Sequence, residues 1–239
     1  MSISSVLEDS WALVRDNLDQ TVSLRREITW KPDGSPVTQA DLFQEKLIAD
    51  FLRARLPDVT LIAEESYVAG QDMQSGWVAV LDPIDGTENF CSGLKEWGVA
   101  LSIWRDGAHQ GSALMLPEMG DILMSGMSIP TYKSRIVGLS SSYNAEIGAI
   151  LADNPEGRVM GCAVYNMYNV IRGAYARFVN PKGAYSWDLL AGVALAHEAG
   201  CAVFLEGEPY HGQFLDPDKR HRVDIWHRHD LHPGQGPVG

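Results

Sequence analysis

Two aspartates three positions apart, Asp82 and Asp85, follow the apolar run Val78–Leu81 in the segment Asp82-Pro83-Ile84-Asp85-Gly86-Thr87. Carboxylates at a strand end can hold a hard cation. Pro83 stiffens the turn, Gly86 permits a close backbone approach, and Thr87 can open a helix whose free N–H groups face an anion. Glu64, with Glu65 beside it, ends a second apolar run, Val59–Ile62. Asp188 falls in the first turn of a helix predicted over Ser186–Ala199. Four carboxylates from three segments, each at an element terminus, suit oxygen-ligated Mg²⁺ better than zinc. Two Mg²⁺ roughly 3.5–4 Å apart can activate a water and stabilise the leaving oxygen of a phosphate ester. Singly, each of these residues is explained by turn chemistry, and Asp188 by the helix dipole. The combination carries the reading.

The chain has 239 residues, 45% hydrophobic and 21% charged. That balance excludes disordered, collagen-like and coiled-coil classes and predicts one enzyme-sized unit with a large core. The formal charge of −12 disfavours nucleic acid and anionic membrane as partners. An anionic substrate then needs cations supplied locally. Lys31, in the loop before Asp41, is one that can close over the site. The three cysteines, Cys91, Cys162 and Cys201, form no CxxC pair. Neither a disulfide framework nor a zinc ribbon is expected, and a reducing cytoplasm fits. No apolar run approaches 18 residues, and residues 1–9 lack the basic start of a signal peptide, so neither a membrane span nor a leader is expected.

The elements that must position these groups follow from periodicity. Val6, Leu7, Trp11, Val14 and Leu18 predict a helix over residues 5–24. Residues 31–36 read as a loop by their Pro and Gly content. Thr38 and Asp41 form a capping pair ahead of a helix that Pro57 ends. Strands are predicted at 59–62, 78–81, 99–104, 113–116 and 122–124, with an Asp106-Gly107 turn. The pattern loosens at 130–134. This divides the chain into an N-terminal α+β half, 1–134, carrying Asp41, Glu64 and the aspartate segment, and a C-terminal α/β half, 135–239, carrying Asp188. The second half reads as strand 136–139, helices 144–152 and 163–174, strand 175–179, a helix N-capped by Ser186, and strand 202–205 closing the regular part. The tail from about 216 is polar, with His221, His227, His229 and His232. It reads as a mobile end rather than a metal site.

The segment Asp82 to Phe90 resembles the first signature of the inositol monophosphatase family, and Trp187-Asp188-Leu189-Leu190-Ala191-Gly192 its second. Val37 to Asp41 and Glu64-Glu65-Ser66 are similar to two further family elements in the same order. The resemblance spans about residues 12–205. It implies the layered α-β-α-β-α sugar-phosphatase fold, a homodimer, and Mg²⁺-dependent, Li⁺-sensitive hydrolysis of a small phosphorylated metabolite. It implies that Glu64, Asp82 and the Ile84 carbonyl bind one Mg²⁺ and that Asp82, Asp85 and Asp188 bind a second. A third ion is expected near Glu64. Gly86 and Thr87 would hold the phosphate, Thr87 and Asp41 would orient and deprotonate the attacking water, and Glu65 would support them. Asp188 and Lys31 would also face the substrate.

Substrate choice is less defined. Inositol-selective members carry an acidic residue about seven positions before the second-signature aspartate, and counting back from Asp188 reaches Pro181, next to Lys182. The family's Gly-Ser-x-Ala element reads Gly161-Cys162-Ala163-Val164, and Cys162 is expected to pack as a small hydrophobe. Inositol 1-phosphate is the first expectation, then histidinol phosphate, suggested by Trp97-Gly98, then 3′-phosphoadenosine 5′-phosphate. A non-catalytic role as a partner of transcription machinery is the alternative of another class. Such a role would not need the carboxylates that this chain retains.

Overall fold

The computed structural model describes residues 2–228 apart from 33, 72, 74, 142 and 143. His229 and His232 lie outside the described residues. The first half of the chain runs α1 (Ile3–Asp16), α2 (Leu18–Ser23), β1 (Ile28–Trp30), β2 (Pro36–Thr38), α3 (Gln39–Arg55), β3 (Thr60–Ala63), β4 (Trp77–Asp85), α4 (Thr87–Cys91), β5 (Gly98–Arg105), β6 (Ala108–Leu116) and β7 (Asp121–Met124). There follow β8 (Val137–Leu139), α5 (Ala145–Asp153), β9 (Gly157–Val159), α6 (Ala163–Ile171), β10 (Arg177–Ala184), α7 (Ser186–Glu198), β11 (Ala202–Leu205), β12 (Glu208–Pro209) and β13 (His221–Trp226).

One sheet has the order β3-β4-β5-β6-β7, parallel between β3 and β4 and antiparallel beyond. The other has the order β12-β11-β13-β10-β8-β9. The apolar run of β4 is uninterrupted because both its faces are covered. Ala79 and Leu81 meet Val6, Val14, Ile48 and Leu52 of α1 and α3, while Val78 and Val80 join the core that includes α6 and α7. That core continues into Phe178, Val203, Val223 and Ile225 of the second sheet. On the opposite face of the second sheet, Val137, Leu139 and Val179 pack with Ile147 of α5. The layers are therefore α1–α3, first sheet, α6 and α7, second sheet, α5: the α-β-α-β-α order of the sugar-phosphatase fold. Gly192 of α7 permits the close packing in the middle layer, since a Cβ there would lie 2.3 Å from Met167 Sδ.

The structure corrects several expectations. The helix over 5–24 is broken at Asn17, whose amide bonds back to the Leu13 carbonyl at 2.8 Å while its backbone leaves helical geometry. The loop predicted before Thr38 is present, with Lys31, Pro32, Gly34 and Ser35 between two strands that pair as an unpredicted β1–β2 hairpin. Its strands have three residues each, and β1 is exposed throughout, so no alternation marks it. Tyr185, not Ser186, is the N-cap of α7. Regular structure does not close at Leu205, and the stretch from 216 is not a loose tail as far as it is described. β13 sits between β11 and β10, with His221, Val223 and Ile225 buried and Arg222 exposed. That is a half-buried strand's alternation, obscured by its polar outward residues. His221 bonds the Asp216 carbonyl and the fully buried His227 bonds the Val170 carbonyl. Both histidines serve packing.

Among the described residues, no helix is long and apolar enough to cross a membrane.

Candidate active site

Three element ends converge. The β3 strand delivers Glu64, whose N–H still reaches the Leu81 carbonyl of β4. β4 delivers Asp82 and Asp85. Its pairing with β5 shifts register between those two residues, so the chain kinks where the carboxylates stand. Gly86 then adopts φ +83°, a left-handed conformation that favours glycine, and a Cβ there would also lie 2.9 Å from Cys162 Cβ. Thr87 starts α4. From the middle layer, α7 presents Asp188 as the third residue of the helix, where its Oδ2 accepts the Tyr185 N–H at 2.7 Å in a capping box.

Ligating oxygens of Glu64, Asp82 and Asp188 lie within 4.8 Å of one another. Asp82 is fully buried. One of its oxygens accepts the Ile84 N–H at 3.0 Å, and the other receives no hydrogen bond. Burial, followed by the charges of Glu64, Asp85 and Asp188, pushes its carboxyl well above the usual carboxylate range. Burial and the Asp188 charge push Glu64 up to about 8. Burial and the Asp85 charge push Asp188 up to about 7. Acidic groups so close, one with an orphaned buried oxygen, are satisfied either by protons or by a cation. An all-oxygen donor set fits a hard divalent metal.

Asp85 is brought beside this trio and is held differently. Its Oδ2 accepts the Val164 N–H at 2.5 Å and the Cys162 thiol at 2.8 Å, both from the start of α6. Burial raises it to about 6, against those hydrogen bonds. Cys162 is thus more than a packed hydrophobe. Its sulfur also takes the Tyr165 N–H at 3.2 Å, joining the cap of α6 to the acid cluster. Its place in the Gly161–Val164 element was the available sequence signal.

Asp41 is almost fully buried. Its Oδ2 accepts the Thr38 N–H and hydroxyl at 2.8 and 2.6 Å, the predicted capping pair. Its Oδ1 lies 3.2 Å from the Thr87 hydroxyl, which is also 3.0 Å from the Ile84 carbonyl. One hydroxyl proton serves only one of these acceptors at a time. Burial raises the Asp41 carboxyl, and the Thr38 bonds oppose the rise. Lys31, at the hairpin tip, reaches Glu64 at 2.9 Å and Glu65 at 2.8 Å. Desolvation works to lower its pKa, but the two glutamates outweigh that and hold it above its ordinary value. Glu65 is fastened in turn by its N–H to Glu45 Oε2 at 3.0 Å.

Lys31, Glu64, Asp85, Thr87 and Asp188 open on a cavity of about 420 Å³. The second sheet and its loops add Ser140, Asn180 and Arg220 to its wall, and the start of α6 adds Cys162 and Asn166. Counting back from Asp188 led to Pro181. The structure places Asn180 at this cavity instead, next to an irregular register of β10 between Asn180 and Ala184. Asn180 and Arg220 have no sequence signal of their own. Arg220 enters from the loop before β13, in the stretch that polarity had marked as a tail.

Comparison with known proteins finds similar phosphatases. An inositol-1-monophosphatase of Mesorhizobium japonicum is 26% identical over 73% of each chain. A histidinol-phosphatase of Chlorobaculum parvum is 35% identical over 92 residues, 38% of this chain and 35% of that one. An inositol monophosphatase/NADP phosphatase solved with Mg²⁺ and phosphate superposes with a TM-score of 0.75 at 18% identity, over 95% of this chain and 90% of that one. The sequence model of the inositol monophosphatase family matches residues 9–228, and the chain belongs to that family of phosphatases.

Proposed function

We propose that the protein is a Mg²⁺-dependent hydrolase of small phosphate monoesters and that this cavity is its active site. The observation that carries the proposal is the Glu64–Asp82–Asp188 trio with its orphaned buried Asp82 oxygen. In this reading Glu64, Asp82 and the Ile84 carbonyl hold one cation, Asp82, Asp85 and Asp188 a second, and Glu64 borders a weaker third. Bound Mg²⁺ supplies charge neutralisation of the phosphoryl oxygens and a lowered pKa for water.

The chain's own residues do the rest. The Gly86 and Thr87 N–H groups orient the phosphoryl oxygens at the start of α4. Thr87 turns its hydroxyl proton to Asp41, leaving its oxygen to accept a proton from the attacking water. Asp41 is the terminal acceptor, and its raised pKa suits it to receive that proton. The water oxygen bonds to phosphorus as the ester P–O bond breaks, and the alcohol leaves with a proton from solvent. Lys31 tethers the hairpin to Glu64 and Glu65 at the cavity edge. Inositol 1-phosphate, histidinol phosphate and 3′-phosphoadenosine 5′-phosphate are the substrates to try, in that order of resemblance. A homodimer working in a reducing cytoplasm belongs to the same proposal. Its oligomeric state is read by light scattering.

The test is phosphate release with and without Mg²⁺ on that panel, for the wild type and Asp188→Asn. Mg²⁺-dependent release that the substitution nearly abolishes supports the proposal. Wild-type turnover in the variant, or release indifferent to Mg²⁺, overturns it.

A further inference from the structure

Among the described residues two basic side chains line the cavity, Lys31 and Arg220. Lys31 is committed to Glu64 and Glu65. Among the described residues Arg220 forms no ion pair, and its charge acts on Asp188. Its guanidinium lies over the Tyr185 ring, 4.6 Å from the centroid, and donates one bond, to the Gly183 carbonyl at 3.2 Å. A guanidinium has five N–H donors, so most of its capacity is unspent beside the cavity.

The loop that carries Arg220 is built to hold it there. The Asp218 N–H turns back on Asp216 Oδ1 at 3.0 Å, His221 ties the Asp216 carbonyl, and the Tyr67 hydroxyl donates to Asp218 Oδ1 at 2.6 Å. Tyr185, under the guanidinium, is itself stacked on Trp187 at 4.8 Å. A cation fixed this way loses little freedom on meeting a ligand.

The wall around it offers donors. Asn180 spends its carboxamide oxygen on the Gly183 N–H at 3.0 Å and presents its nitrogen. The buried Ser140 hydroxyl has no partner. Apart from Asp188, which belongs to the acid cluster, the second sheet and its loops contribute no carboxylate to this wall among the described residues. The hydroxyls of a neutral polyol can use these donors too, but only an anion also pairs with the fixed guanidinium charge, and that charge suits this wall to an anion.

We propose that Arg220 docks a second anionic group on the alcohol side of the substrate, a carboxylate or a further phosphate. The preferred substrate is then a phosphorylated acid or a bisphosphate rather than the monophosphate of a neutral polyol. This rests on the phosphatase reading of the same cavity. A rival role for Arg220 is charge balance, because its charge also acts on Asp188.

Matched substrate pairs separate the two roles. Glycerol 3-phosphate and 3-phosphoglycerate differ by a carboxylate. Fructose 1-phosphate and fructose 1,6-bisphosphate differ by a phosphate. With Mg²⁺, the wild type is expected to favour the more anionic member of at least one pair by about tenfold or more in kcat/KM, as a charge-assisted contact allows. Arg220→Ala is expected to erase that ratio, mainly through KM of the anionic member, and Arg220→Lys to restore part of it. Calorimetric binding of the same pairs to the Asp41→Asn protein should show the same ratio and the same loss without turnover.

A wild type with no preference in either pair overturns the proposal. So does an Arg220→Ala variant that weakens both members equally, the signature of charge balance. Absence of phosphate release both from these four compounds and from the panel above sinks the hydrolase reading instead, and the calorimetric ratio then decides Arg220 by itself.

Discussion

Metal removal and pH act on the same carboxylates, and their combination tests the site most directly. Without metal, burial and mutual repulsion raise Asp85, Asp188 and Glu64 in the folded protein to about 6, 7 and 8, and raise Asp82 well above the usual carboxylate range. Unfolded, they return to the ordinary range near 4. Between those limits the native state binds more protons than the unfolded chain. The stability of the metal-free protein is therefore full below about pH 4 for these groups and is lost as pH rises through 6 to 8. The Asp188 shift alone, from 3.8 to about 7, corresponds to about 4 kcal/mol at 1.36 kcal/mol per unit. The neighbouring shifts share the same repulsion and do not add to it. For a chain of this length, about 4 kcal/mol lowers Tm on the order of 10 °C.

Saturating Mg²⁺ should reverse the trend, because in the proposed site the deprotonated cluster is the ligand. At a hundred times its Kd it adds about 2.7 kcal/mol. The assay is a thermal melt at pH 5, 6, 7 and 8, with chelator or with Mg²⁺, on the wild type and Asp82→Asn. Asparagine removes one charge and can donate its N–H to the neighbouring carboxylates. The variant's metal-free melt should fall less steeply with pH than the wild type's and should not respond to Mg²⁺. A wild-type metal-free Tm that is flat or rises from pH 5 to 8, or an equal Mg²⁺ shift in both proteins, would refute the reasoning.

Asp41→Asn should lower kcat by about 10²–10⁴-fold while leaving the Mg²⁺-induced Tm shift in place, and a wild-type kcat would remove Asp41 from the proton path. Cys162→Ala takes a donor from Asp85 and should raise the Mg²⁺ concentration for half-maximal activity by about tenfold, the lower end for outer ligand partners. Cys162→Ser should recover most of that, and if alanine and serine behave alike the thiol bond is immaterial. Truncation before Asp216 deletes β13 from the interior of its sheet and should abolish the cooperative thermal transition, whereas a normal melt would mean the sheet closes without it.

Much of this protein is legible along the chain because the relevant physics is local. β4 reads as a covered strand from the unbroken run Val78–Leu81, the Thr38–Asp41 capping box lies within one helical turn, and Asp85-Gly86-Thr87 encodes its own kink and helix start. The placing of carboxylates at element ends already suggests the proposed hard-cation chemistry, since each sits where a strand or helix leaves backbone groups free. The rest depends on what meets across the fold. Cys162 reaches Asp85 over 77 positions, so no spacing rule connects them. Asn180 replaces Pro181 at the cavity next to a register irregularity in β10, and a backbone offset has no residue-type signature. β13 was hidden by its composition. Its histidines and charged residues suggest a solvated end, but burial is decided by the neighbouring strands, and β10 and β11 enclose it. Arg220 follows from that enclosure: only when β13 is drawn into the sheet does the loop before it bring a cation to the cavity wall.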